Sequence, residues 1–172
     1  MSPLAAPYAA ADARPQRFRR ACSVRPARNF HPAAATGHLE VVRLLAELGA
    51  SIETPANNGI TPAFVAAQEG HVKVVRLLAK LGASIEAPDK YGGTPVFAAA
   101  EDGHVEAVKL LAELGAKVET PDKYGTTPLY QSALNGHTKV IRLLASLKPD
   151  LVTTATKSGW TPLAISVHQG HL

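Results

Sequence analysis

Seven histidines are the most obvious chemical resource of this 172-residue chain. A neutral imidazole can ligate a metal or take up a proton near neutral pH. Five of them, His38, His71, His104, His137 and His171, directly follow a glycine. The first four Gly-His pairs recur every 33 residues from Gly37, and Gly170 follows Gly136 after 34. Such regularity argues against a metal site. Neighbouring helices lie ~8–10 Å apart, whereas zinc ligands all sit ~2 Å from one ion. Equivalent histidines of stacked units cannot share a metal, so a structural role is expected of them. His168 reads as surface. The adjacent carboxylates Glu101 and Asp102 read as a solvated helix end rather than an acid–base pair. Gly92-Gly93 lacks the spacing of a nucleotide-binding loop, and no nucleophile elbow or zinc signature is present. Cys22 is the single cysteine, which rules out an internal disulfide and fits a reducing compartment. The residues point away from catalysis, and neither cofactor nor metal is expected.

The elements that carry the histidines explain them better. A Thr-Pro pair keeps the same beat at Thr61, Thr94, Thr127 and Thr161. Threonine is an N-cap, and proline suits the first helical turn, where no N–H is needed. A second helix is expected after each Gly-His, near 38–48, 71–81, 104–114 and 137–147. First helices are expected near 62–69, 95–102 and 128–135. Val41, Leu44, Leu45 and Leu48 fall at i, i+3, i+4 and i+7, as do Val74, Leu77, Leu78 and Leu81. Both sets predict an apolar stripe facing a core. Gly49, Gly82 and Gly115 follow as helix stops. Pro88-Asp89-Lys90-Tyr91-Gly92 and Pro121-Asp122-Lys123-Tyr124-Gly125 carry turn chemistry.

Period and motifs together resemble the ankyrin repeat. The clearest unit runs from Asp89 through Thr94-Pro95-Val96-Phe97-Ala98-Ala99 and Gly103-His104 to Gly115-Ala116. The resemblance covers 29–172 and implies an all-α solenoid of stacked antiparallel helix pairs joined by projecting turns. It also implies binding of a protein partner through turn tips and first helices. His31 falls in the family's first-helix histidine slot. Phe64, Phe97, Tyr130 and Ala164 replace that histidine later on, so aromatic packing is expected where its hydrogen bonds are lost. Ser51-Ile52-Glu53, Ser84-Ile85-Glu86 and Lys117-Val118-Glu119 stand in the slot of the family's Asp-Val-Asn, whose asparagine can be hydroxylated.

In repeat register, the turn positions run Asn57, Lys90, Lys123, Lys157, then Asn58, Tyr91, Tyr124, Ser158, then Ile60, Gly93, Thr126, Trp160. First-helix ends run Gln68, Glu101, Leu134, His168. From these rows the resemblance nominates Asn58, Gln68, Lys90, Tyr91, Glu101, Lys123, Tyr124, Leu134 and Trp160 as partner-binding residues. Trp160 has a second reading, as cover for an exposed core edge.

Residues 1–28 contain no repeat motif. Their six arginines oppose only Asp12, whereas 29–172 is close to neutral, so the overall charge of +4 is no argument for nucleic-acid binding. Rich in Ala, Pro and Arg, this segment is expected to be a disordered tail. It loosely resembles an organelle transit peptide, but scarce serine and interrupting prolines disfavour that reading over a tail or a non-native start. No apolar run approaches the ~18 residues of a membrane span. A monomer in the cytoplasm or nucleus is expected. The first repeat reads as degenerate, since Arg28-Asn29 occupies the Thr-Pro slot and Pro32 falls inside the helix. A helix stunted to one turn, from near Pro32 to Thr36, should result. The last repeat reads as truncated after its first helix. That supports the alternative of a regulatory or targeting fragment of a larger enzyme or channel.

Overall fold

The Thr-Pro motif acts as the spacing predicts. In the computed structural model, which describes residues 30–171, Thr61, Thr94, Thr127 and Thr161 each sit in extended backbone just before a helix. Each hydroxyl oxygen accepts the N–H three residues on, as Thr94 does from Phe97 at 3.3 Å. These caps start α3 (Pro62–Gln68), α5 (Pro95–Glu101), α7 (Pro128–Leu134) and α9 (Pro162–His168). The second helices are α2 (Leu39–Glu47), α4 (Val72–Lys80), α6 (Val105–Glu113) and α8 (Thr138–Leu147), each with the repeat histidine as its N-cap. The first repeat opens with α1 (His31–Ala35), five residues with Pro32 in its first turn, where proline is tolerated. All nine are α-helices, and the described residues contain no strand. The tail at 1–28, with Cys22, lies outside the described residues.

Two layers form. First helices pack side by side in one row, second helices in another, and α3, α5 and α7 each also pack against the second helix that follows. Between the layers lies one continuous core containing Val42, Val74, Leu78, Val108, Leu111, Val140 and Leu144. Alanines at 66, 67, 99 and 100, all fully buried, let the helices approach closely.

The apolar stripe needs correction. In α2, Val41 is 46% exposed and Leu44 53%, and Leu48 at its C-cap is 70% exposed, while Val42 is fully buried. In α4 the equivalent of Val41 is Val74, only 1% exposed. The difference is the neighbour: α4 has α2 beside it, whereas no described helix lies on the outer side of α2. Leu48 has a more general reason. Its equivalents Leu81, Leu114 and Leu147 are all exposed, because this leucine sits at the helix end, beyond the reach of the other layer. At the opposite end of the stack, Leu163 and Val167 of α9 are likewise exposed.

One turn departs from the period. Where other repeats carry glycine with positive φ, Lys148 is extended at φ −144°, and Pro149 opens a short 3-10 helix, Pro149–Val152. That turn drops Leu151 into the core in the place of Val118.

Candidate partner-binding surface

The projecting turns are built by their aspartates. Asp89 is buried, and its Oδ1 accepts from the N–H of Tyr91 at 2.9 Å and of Gly93 at 2.8 Å. Asp122 repeats the pattern with Tyr124 and Thr126, both at 2.9 Å. In the last turn Thr156 takes this place, its hydroxyl accepting the Trp160 N–H at 3.3 Å. Successive turns are then stitched by backbone. Lys90 N–H donates to the Asn58 carbonyl and Lys123 N–H to Tyr91, both at 2.9 Å, and Lys157 N–H donates to Tyr124 at 3.2 Å. The result is a braced row of tips rather than independent loops. Gly92 is needed in this row: its φ of +85° suits only glycine, and a Cβ would come within 3.3 Å of Lys123 N.

Four nominated residues converge on that row. Lys90 Nζ lies 4.9 Å from the Tyr91 ring centre. Lys123 Nζ lies 4.2 Å from the Tyr91 ring and 5.0 Å from the Tyr124 ring, so one ammonium bridges two repeats. Such placements are cation–π contacts, worth ~0.5–1 kcal/mol at an exposed site. Both rings are half-buried and both lysines exposed. Asn58, also half-buried, extends the row through its carbonyl, and its own Oδ1 accepts from Ile60 N at 3.4 Å. Lys157, absent from the nominated set, belongs here. Its Nζ donates to the Lys123 carbonyl at 2.7 Å. A period of 34 rather than 33 at the last repeat is the signal that places it.

The first-helix row is more tied down. Glu101 takes an N–H from Gln131 on its carboxylate at 3.1 Å, while its carbonyl accepts from Asn135 Nδ2 and His137 Nε2 at 2.8 and 2.9 Å. Glu101 therefore couples α5 to α7. Gln131, largely buried, was not singled out in the sequence. Leu134 and Trp160 pack around Tyr130, Ala133 and Ile165, and Trp160 meets His168 edge-on at 5.4 Å. Trp160 thus covers a core edge, and His168 is its neighbour. Gln68 ends α3 and is half-buried.

Three of the five repeat histidines bond backbone with their rings. His71, His137 and His171 direct Nε2–H at the carbonyls of Ala35, Glu101 and Leu134, at 3.0, 2.9 and 3.0 Å. Each bond reaches back to the first helix of the preceding repeat. His31 Nε2–H reaches forward instead, to the Ile60 carbonyl at 2.7 Å. The residues that follow His31 in register, Phe64, Phe97 and Tyr130, are all buried, with Phe64 packed against Ile60 and Ala98.

None of the helices in the described residues is long and apolar enough to cross a membrane. The family model described as ankyrin repeats (3 copies) matches residues 30–122 and again 83–155. No match was found among the curated proteins.

Proposed function

Because the chain belongs to the ankyrin-repeat family, whose members generally act as non-enzymatic protein–protein interaction modules, we propose that it is a scaffold that binds a protein partner through its turn tips and first helices. The observation that carries this reading is the tip row. Tyr91, Tyr124, Lys90 and Lys123 come from two repeats and sit on turns braced by backbone hydrogen bonds, the rings half-buried and the lysines exposed. Rigid amphipathic rings on a fixed frame suit a binding surface, because little conformational entropy is lost on association. Leu134 and Trp160, half-buried against Tyr130, Ala133 and Ile165, add apolar surface at the end of α7 and the last turn. Partners with an apolar strip edged by acidic residues fit this arrangement, and the scaffold acts as a monomer.

The test starts from affinity capture with the whole chain and identification of a direct partner by mass spectrometry. The Tyr91→Ala, Tyr124→Ala double variant is then compared with wild type. Removing hot-spot aromatics should weaken binding by ~2 kcal/mol or more, mainly through faster dissociation. Unchanged affinity with an unchanged melt would remove the tips from the site and shift it to Gln68, Glu101 and Leu134.

A further inference from the structure

Lys90, Lys123 and Lys157 form one column across three successive tips, and all three are exposed. Among the described residues no carboxylate pairs with any of them. The acids of the same turns, Asp89 and Asp122, are buried and accept backbone N–H groups. The two later lysines lean back by one repeat: Lys123 onto the Tyr91 ring, Lys157 onto the Lys123 carbonyl. Lys90 and Lys123 therefore share the Tyr91 ring, Lys123 also meets the Tyr124 ring, and Lys157 continues the line of positive charges.

The spacing of this line selects a ligand shape. Helices of adjacent repeats lie ~8–10 Å apart, and at the tips the Lys90 and Lys123 ammoniums, 4.9 and 4.2 Å from the Tyr91 ring centre, lie no more than about 9 Å apart. A polyproline II helix has 3 residues per turn and rises ~3.1 Å per residue, so every third side chain returns to one face after ~9 Å. A β-strand does not fit as well, because its residues i and i+3 point to opposite faces. Duplex DNA fits worse, with a phosphate every ~3.4 Å along each strand and most of them facing no lysine. Aromatic rings on a groove are also the surface on which polyproline II segments dock. We infer that the tip column Lys90–Lys123–Lys157 binds an extended acidic segment in polyproline II conformation, with a carboxylate at every third residue opposite the lysines and its intervening residues against Tyr91 and Tyr124. This rests on the tip-surface reading above and gives the partner its chemistry.

The probe is a fluorescent twelve-residue peptide of four Glu-Pro-Pro units, titrated with the whole chain by fluorescence anisotropy. Three controls accompany it: a peptide of the same composition with its glutamates contiguous, the Gln-Pro-Pro counterpart, and a thymidine oligonucleotide. The spaced acidic peptide should bind at least about tenfold more tightly than each control, with affinity falling as salt rises. The variant Lys90→Gln, Lys123→Gln, Lys157→Gln should lose about tenfold, while the triple Lys→Arg variant retains binding. Amide shift mapping on the wild-type chain should place the peptide at 90–93, 123–126 and 157–160, a readout that does not depend on the variants folding. Equal binding of spaced and contiguous glutamates would overturn the inference, as would tighter binding of the oligonucleotide or shifts confined elsewhere. A captured partner that is sensitive to loss of Tyr91 and Tyr124 but indifferent to the triple glutamine variant would also overturn it, and would leave the tip surface itself standing.

Discussion

The imidazole of His104 lies against Gly70 so closely that a Cβ built on that glycine would come within 2.5 Å of Nδ1. The same relation joins Gly37 to His71, Gly103 to His137 and Gly136 to His171. Glycine and histidine recur together for two reasons. Within a repeat, glycine turns the chain with positive φ, and histidine caps the next helix. Between repeats, the glycine of one leaves room for the histidine of the next.

Gly70→Ala should therefore cost more than Gly82→Ala. Both glycines have positive φ, which costs an alanine about 1–2 kcal/mol. A Cβ at Gly82 meets nothing within 4 Å, so only that backbone cost applies there. At Gly70 the ring of His104 must also move. Urea melts of the two variants check this, and equal losses would show that the imidazole yields freely.

Burial rather than helix position should govern the apolar substitutions. Leu111, fully buried, should lose about 2–5 kcal/mol on replacement by alanine. Lys109→Ala, on the exposed face of the same helix, should stay within about 0.5 kcal/mol. Val41 and Val74 give a stricter comparison, since they share a repeat position and differ only in exposure, 46% against 1%. Val74→Ala should be clearly the more costly. If the Val41 variant loses as much, the outer face of α2 is covered in solution.

Thr94→Ala removes the cap of α5 and leaves the buried Phe97 N–H without its acceptor. A loss of about 1 kcal/mol is expected, and Thr94→Ser should recover most of it. Thermal melts of the three proteins decide. A serine variant as unstable as alanine would assign the loss to the threonine methyl group.

Lys148→Gly, which restores the repeat's usual helix stop, should not stabilise the chain. Lys148 has negative φ, so glycine's access to positive φ has no use there. The substitution also removes the Lys148–Glu119 ion pair at 3.5 Å, whose half-exposed partners contribute no more than about 1 kcal/mol. A rise in the melting midpoint would mean that the 3-10 turn is strained and readily replaced.

The sequence alone determined the architecture, because its signals are local. A threonine before a proline starts a helix wherever the pair occurs, and a glycine that can take positive φ ends one. Repetition every 33 residues says that the units stack. Element existence and order could therefore be read directly, with helix ends within one residue of the structure at α3 to α8. Membership of the tip row was also partly legible, since Lys90, Tyr91, Lys123 and Tyr124 keep the repeat spacing. The tertiary structure decided what depends on neighbours. Val41 and Val74 are the same residue in the same helical position, and only the presence of a helix alongside separates exposed from buried. Lys123 lies between two rings because successive turns are hydrogen-bonded in register, a cross-repeat contact that no single repeat encodes. Trp160 covers a core edge because α7 brings Tyr130 and Ala133 to the same cluster. Local rules act over about one helical turn, whereas each of these placements depends on a residue some 30 positions away or on the absence of a neighbour.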